Sequence, residues 1–126
     1  MSDDRVRAWA AALSEREADA FHAARDEFCR KPTADRLHTL RTAGRRLRSL
    51  YDDLGGVLPA VSEKGLRRIV KRAGKTRDAT VLRAMLKAAL DESEREIVAP
   101  ILRDLRLRER AGLRRVRRAA NGLKAR

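Results

Sequence analysis

Apolar and polar positions along the chain recur with the period of an α-helix. Apolar residues return every three or four positions over long stretches, and no run of alternating apolar and polar residues persists. Ala, Leu, Arg and Glu dominate, whereas β-branched and aromatic residues, which favour strands, are scarce. The sequence therefore predicts an all-α protein.

Three breaks divide this pattern into four predicted helices. The breaks are Lys31-Pro32-Thr33, then Gly55-Gly56 with Pro59 and Ser62, then Asp91-Glu92-Ser93. The predicted helices span about 4–30, about 33–54, 62 or 63 to about 90, and about 94–123. Short loops between four helices favour an antiparallel up-down four-helix bundle. With 126 residues, the sequence predicts a single domain over 1–126.

Finer features of the helices also carry predictions. Ser14 and Glu17 match a capping box, which predicts a break in the first helix near residue 13. Pro100 either begins the regular part of the last helix or bends it. We expect the chain to fray from Asn121 onward.

Each predicted helix has an apolar face that we expect to point inward. In the first helix this face consists of Val6, Trp9, Ala10, Leu13, Phe21, Ala24 and Phe28. In the second it consists of Leu37, Leu40, Gly44, Leu47, Tyr51 and Leu54. In the third it begins with Leu66, Ile69, Val70 and Ala73. In the fourth it consists of Val98, Ile101, Leu102, Leu105, Leu113, Val116 and Ala120.

The charge of the chain is strongly positive and unevenly distributed. It has 31 basic and 18 acidic side chains, a net charge of +13. Residues 1–35 carry six basic and eight acidic groups, whereas residues 36–126 carry 25 and ten. Such a balance favours a polyanionic partner: nucleic acid, a phosphate polymer, an anionic membrane or an acidic protein. The single Cys29 allows no internal disulfide, and no apolar stretch suits a signal peptide or a membrane span, so we expect a cytoplasmic protein with no membrane partner.

Basic residues form stripes on three predicted helices. On the second helix, a stripe beside the apolar face consists of His38, Arg41, Arg45 and Arg48. The third carries Lys64, Arg68, Lys71 and Lys75, and the fourth carries Arg103, Arg106, Arg110, Arg114 and Arg117. Like charges four residues apart destabilise a helix, and a bound anion would reverse that cost. Arg77 shares the direction of the apolar face, which leaves two readings open: a ligand role, or an ion pair with an acid across the bundle or with Asp78 of a neighbouring chain.

Two motifs resemble those of a known family. The order His38-x-x-Arg41-x-x-x-Arg45-Arg46-Leu47-Arg48, followed by Gly74-x-x-Arg77-Asp78, resembles the conserved histidine α-helical domain, CHAD. Thr80 stands where that family has a second aspartate. The resemblance implies binding of inorganic polyphosphate along a basic surface, association with polyphosphate granules, and no catalysis by the domain itself.

The resemblance also bears on assembly and on the binding residues. Family members usually hold two related four-helix bundles, and this chain has room for one, so it looks like a half-domain. Two copies related by two-fold symmetry would rebuild the missing half as a homodimer. Together, the stripes and the motifs predict polyphosphate-binding residues His38, Arg41, Arg45, Arg46, Arg48, Lys71, Lys75, Arg77, Arg103, Arg106, Arg110, Arg114 and Arg117.

Three other functions were weighed against the same sequence features: nucleic-acid binding, catalysis and docking of an acidic protein. Nucleic acid would also bind a basic surface, but Trp9, Phe21 and Phe28 are predicted to face the core, which removes them as stacking rings, and no nucleic-acid-binding signature is present. An enzyme is not expected because no catalytic, metal-binding or cofactor motif can be assembled. A basic adaptor for an acidic protein has no anchor residue in its favour.

Overall fold

The chain folds into helices alone over the part that can be described. The computed structural model describes residues 2–54 and 62–123, without the side chains of Ser2 and Leu54. In these two ranges it contains no strand and five helices: α1 (Ser2–Arg30), α2 (Ala34–Leu54), α3 (Glu63–Ala89), α4 (Glu92–Ile97) and α5 (Ala99–Gly122). The all-α prediction is therefore confirmed. The predicted break at Gly55-Gly56 and the predicted inward position of Leu54 lie outside the described residues.

Short polar residues begin three of the helices. Before α2, the Thr33 hydroxyl accepts a hydrogen bond from the Arg36 amide at 3.2 Å. Before α3, Ser62 Oγ accepts from the Gly65 amide at 3.3 Å. Asp91 begins α4 with a full capping box, in which its side chain accepts from the Glu94 amide. These caps satisfy amides that have no partner within the first turn, and they set the helix starts close to where the sequence predicts them.

The last predicted helix is divided into two. The short α4 ends at Ile97, the backbone of Val98 leaves the helical conformation, and α5 then starts at Ala99. Pro100 lies in the first turn of α5, where its missing amide costs no hydrogen bond. Pro100 therefore begins the regular part of the helix.

The long helices pack in chain order, with α1 against α2, α2 against α3, and α3 against α5. A smaller contact joins α5 to α1. The core between them contains Ala18, Phe21, Ala24, Phe28, Leu37, Leu40, Ala43, Leu47, Leu66, Ile69, Val70, Ala73, Val116, Ala120 and Leu123. These contacts suit an antiparallel bundle in which α4 stands aside, because α4 contributes no buried residue.

Two glycines allow the helices to approach closely. A Cβ atom on Gly44 of α2 would lie 2.9 Å from Val70 Cγ2 of α3, which is closer than real side chains come. A Cβ atom on Gly112 of α5 would overlap the side chain of Thr76 in α3. The positions of these two glycines therefore fix which faces of α2 and α5 meet α3.

Three predicted core residues are exposed. Val6 and Trp9 are 58% and 61% exposed, and Ile101 is 54% exposed. With 29 residues against 21, α1 is eight residues longer than α2, so its first turns extend past the end of its neighbour. Ile101 lies in the first turn of α5. Because Thr80 of α3 bonds to Glu109 of α5, the residues of α5 before Glu109 can pack only along the last turns of α3. The periodicity gave the correct helix face in each case, but none of the described helices covers it.

Two further expectations are wrong. Helix α1 runs unbroken through residue 13, because Ser14 is buried within it and donates to the Ala10 carbonyl at 2.7 Å instead of capping a new helix. The predicted fraying does not begin at Asn121, because Asn121 and Gly122 belong to α5 and Leu123 is only 6% exposed and packs where Gly65 has no side chain. The rest of that prediction, residues 124–126, lies outside the described residues. None of the helices in the described part combines the length and apolar character needed to cross a bilayer.

Candidate polyanion-binding surface

A basic groove lies between α2 and α3. Its volume is about 520 Å³, and we call it the α2–α3 groove. Its lining consists of Arg41, Arg45, Arg48, Arg67, Val70, Lys71, Gly74, Lys75 and Asp78. Six of these nine residues are basic and one is acidic. The close approach of the two helices at Gly44 brings part of each stripe to facing walls of one groove: Arg41, Arg45 and Arg48 of α2, and Lys71 and Lys75 of α3.

Arg41 is a half-buried cation of this groove. Its Nε atom is buried and makes no hydrogen bond to the described residues. The same atom lies 3.7 Å from where a Cβ atom on Gly74 would be, so the side chain of Arg41 crosses α3 at a residue that has no side chain. A buried donor without a partner costs free energy, which an anion in the groove would recover. The first arginine of the first motif therefore lies against the glycine of the second motif.

Acidic groups neutralise one end of the groove. Arg67 forms ion pairs with Asp52 of α2 at 2.8 Å and with Glu63 at 2.9 Å. The hydrogen bond from Arg67 to Glu63 is the main cause that raises the pKa of Arg67 above its usual value. The pair with Asp52 links α2 to α3. The cations left without an intrachain carboxylate partner among the described residues are Arg41, Arg45, Arg48, Lys71 and Lys75.

His38 and Arg46 lie on the outer surface of α2. His38 is exposed on the face that carries Arg41 and Arg45, about one turn before Arg41 and two turns before Arg45. Arg46 is exposed beside a shallow cavity that it shares with Thr42, Arg45 and Ser49. Arg45 lines both this cavity and the α2–α3 groove, so it joins Arg46 to the groove.

Arg77 is half-buried in α3. Neither Asp78 of its own chain nor any other described carboxylate forms an ion pair with it. Of the two readings made from sequence, the ion pair with an acid across the bundle is therefore not formed within residues 2–54 and 62–123. Asp78 is exposed and lines the α2–α3 groove.

The predicted stripe on α5 does not face this groove. Gly112 marks the side of α5 that meets α3, and at about 100° per residue Arg103 and Arg110 point roughly the opposite way. All five stripe residues, Arg103, Arg106, Arg110, Arg114 and Arg117, are exposed. Arg117 lies near Cys29 of α1, where its charge opposes the burial that raises the pKa of the thiol. The structure therefore places the α5 stripe on a different surface from that of Arg41 and Lys75.

Other arginines of α5 share a surface with α3. Arg108 and Arg115 line a cavity of about 330 Å³ together with Lys75. Arg118 lines a second cavity with Arg68 and Arg72 of α3. The sequence reasoning missed Arg72, Arg108, Arg115 and Arg118, as well as Arg67, as neighbours of the predicted site. Gly112 was the available signal, because a glycine within a helix often marks a close approach of two helices.

Thr80, the departure from the family motif, joins α3 to α5. Its hydroxyl donates to Glu109 Oε2 at 2.8 Å and also lies 3.2 Å from the Thr76 carbonyl. In this contact the carboxylate belongs to Glu109 of α5, and Thr80 is the hydrogen-bond donor. An aspartate at 80 would instead place two carboxylates side by side.

The comparison with known families assigns the chain. The CHAD domain model matches residues 12–126, nearly the whole length. The chain belongs to the CHAD family, as the motifs in residues 38–48 and 74–78 predict. CHAD domains are associated in general with the binding of polyphosphate. Searches of curated proteins and of solved structures gave no match.

Proposed function

We propose that this protein binds inorganic polyphosphate in the α2–α3 groove. The observation that carries the proposal is the cluster of five cations without an intrachain carboxylate partner among the described residues, centred on the buried Nε of Arg41. Membership of the CHAD family supports the same ligand.

The arrangement of charges suits a linear phosphate polymer. Arg41 and Arg45 on one wall, and Lys71 and Lys75 on the other, are four residues apart, which separates their Cβ atoms by about 5–6 Å. Guanidinium groups bind phosphate oxygens through two parallel hydrogen bonds, and lysine adds a compact charge. The groove lining has no aromatic ring, so nothing in it would stack on a nucleic-acid base.

Binding of long-chain polyphosphate to matched variants tests the groove. We expect Arg41→Gln combined with Arg45→Gln to weaken binding by about tenfold or more, since each charged hydrogen bond contributes about 1.5–3 kcal/mol. The control, Arg7→Gln with Arg16→Gln, removes the same charge from exposed positions of α1. Equal losses in the two double variants would mean that only net charge matters, and the assignment to the groove would be wrong.

Nucleic acid is the main rival ligand. Trp9 is exposed, contrary to the sequence prediction, so it is available for stacking; it belongs to α1 and not to the groove walls. The test is competition at equal phosphate concentration and fixed salt. We expect duplex DNA and single-stranded RNA to displace little long-chain polyphosphate. Efficient displacement would transfer the proposal to nucleic acid.

We also propose that the domain acts by binding alone and associates with polyphosphate granules. No group of three or more potential metal-ligating side chains was found in the described part of the chain. Incubation with polyphosphate and Mg²⁺ or Mn²⁺ should release no phosphate, and phosphate release would establish a catalytic role. A fluorescently labelled chain should collect on granules in cells that accumulate polyphosphate and remain diffuse in cells unable to make it.

A homodimer is the proposed assembly. Exposed apolar side chains support it, because Val81, Leu82 and Met85 of α3 and Ile101 of α5 lie at one end of the molecule with 39–62% of their surface accessible. Exposed apolar side chains grouped on one part of a surface are typical of protein interfaces. Light scattering at micromolar concentration, with and without polyphosphate, should give twice the mass of 14.2 kDa. A monomeric mass under both conditions would contradict the dimer without affecting polyphosphate binding.

A further inference from the structure

A second basic cavity lies on the other side of α3, between its first turns and the end of α5. It has a volume of about 230 Å³, and we call it the α3–α5 subsite. Its lining consists of Gly65, Arg68, Arg72, Arg118, Ala119, Gly122 and Leu123. Three of these residues are basic and none is acidic. We propose that this subsite binds phosphate groups of the same polymer, so that one polyphosphate chain occupies both sides of α3.

No carboxylate among the described residues neutralises the charge of the α3–α5 subsite. None of Arg68, Arg72 and Arg118 forms an ion pair with a carboxylate in residues 2–54 or 62–123. Arg67, the direct neighbour of Arg68, shows the contrast, since it is held by both Asp52 and Glu63. Arg68 and Arg72 are four residues apart on one helix and repel each other. A phosphate between them and Arg118 would turn this repulsion into attraction.

The end of α5 holds the subsite in place. Leu123 is 6% exposed and packs over Gly65, where a Cβ atom would collide with it. Arg25 of α1 donates a hydrogen bond to the Leu123 carbonyl. Val116 and Ala120, on either side of Arg118 in sequence, belong to the core. The backbone that carries Arg118 is therefore held against both α3 and α1.

The two basic cavities are connected across the exposed face of α3. Lys71 is three residues from Arg68, and Lys75 is three residues from Arg72, so each pair is adjacent on the helix surface. Lys71 and Lys75 line the α2–α3 groove, whereas Arg68 and Arg72 line the α3–α5 subsite. Lys75 also lines the cavity that contains Arg115 of α5. A flexible polymer thus meets cations at each step over α3, and its second attachment becomes intramolecular once the first has formed.

This inference rests on the proposed function, and chain length separates the two. Tripolyphosphate is short enough to occupy one cavity at a time, whereas a long polymer spans both. We therefore expect calorimetry at low salt to find two tripolyphosphates per wild-type chain. Arg72→Gln combined with Arg118→Gln should leave one bound tripolyphosphate, and the affinity for long-chain polyphosphate should fall by about tenfold or more.

The reciprocal variant and a folding control complete the experiment. Arg41→Gln with Arg45→Gln should also leave one tripolyphosphate per chain, now in the α3–α5 subsite. Arg7→Gln with Arg16→Gln should keep two. Without ligand, Arg72→Gln should unfold at the same temperature as wild type or higher at low salt, because the repulsion from Arg68 is removed. Arg72→Lys should retain the second tripolyphosphate.

The possible failures are distinguishable. Suppose that wild type binds one tripolyphosphate and that Arg72→Gln with Arg118→Gln changes neither this number nor the affinity for long-chain polyphosphate. The α3–α5 subsite would then be wrong, and the α2–α3 groove would stand. If Arg41→Gln with Arg45→Gln changes nothing while the α3–α5 variant abolishes binding, the proposed groove is wrong. If no polyphosphate of any length binds, the proposed function fails and the subsite fails with it.

Discussion

Alanine at two glycines that flank the α2–α3 groove should change stability in opposite directions. At Gly44 the new methyl would lie 2.9 Å from Val70 Cγ2 and 3.5 Å from Phe21 Cε1. Val70 is 7% exposed and Phe21 fully buried, and a β-branched side chain in a helix has few rotamers to retreat into. Overpacking of this kind costs about 1–3 kcal/mol, against a gain of about 0.5–1 kcal/mol from replacing glycine within a helix. We expect Gly44→Ala to lower the free energy of unfolding by about 1 kcal/mol.

Gly74→Ala provides the matched comparison. Its methyl would meet only Arg41 Nε, at 3.7 Å, which is an ordinary contact with a side chain that can shift. The gain in helix propensity then stands alone, and the free energy of unfolding should rise by about 0.5–1 kcal/mol.

Thermal and urea unfolding followed by circular dichroism measure both changes. For a chain of this size, about 1 kcal/mol corresponds to about 3–5 °C in the unfolding midpoint, so the two variants should lie on either side of wild type. If Gly44→Ala were as stable as Gly74→Ala, α2 and α3 would not approach at Gly44, and the facing walls of the groove would be misplaced.

Three further outcomes are expected for changes at single residues. Arg41→Gln should flatten the dependence of log affinity on log salt by about 0.7–0.9 for long-chain polyphosphate, as expected when one phosphate contact is lost; an unchanged slope would place Arg41 outside the binding site. Thr80→Asp should lower the free energy of unfolding at pH 7 by about 1–2 kcal/mol, because it removes a hydrogen bond and adds a carboxylate beside Glu109. The loss relative to wild type should be smaller at pH 5, where the added carboxylate is more often protonated. An equal loss at both pH values would contradict the contact. Burial raises the pKa of the Cys29 thiol above 9.0 despite nearby guanidinium charges, so the folded chain holds this proton more tightly and the free energy of unfolding should fall as pH rises past about 9; Cys29→Ser should lack this component.

Local signals placed the starts of several helices, although the capping box at Ser14 predicted a break that α1 does not have. Thr33, Ser62 and Asp91 cap helices where the sequence predicts their starts, and Pro100 marks the first turn of α5, because these effects depend only on residues within one turn. Burial required more than periodicity. Val6 lies on the inward-facing side of α1 and is still exposed, because the pattern of one helix does not reveal how far its neighbour extends.

The candidate site was predictable only where its residues lie beside an apolar seam. Arg41 and Arg45 flank the face that packs on α3, so their helix position already pointed into a groove. On α5 the cations occupy more than one face, and the stripe through Arg110 that the sequence pattern predicts is not the face that meets α3. Only the cavities lined by both helices show that Arg115 and Arg118 lie on the side shared with α3. Which basic face is functional is thus a tertiary property.

The pairing of α3 with α5 divides the molecule into parts of unequal resistance to opening. Around Leu66 and Val116 the two helices belong to the common core, whereas the stretch from Val81 through α4 to Leu105 buries only Leu105. Amide hydrogens in that stretch should exchange with solvent through local opening long before those near Val116, which require global unfolding. The arginines that line the α3–α5 subsite are all in the slowly exchanging part. Anion binding would therefore protect amides that are already the best protected, and leave the α4 end as free to open as before.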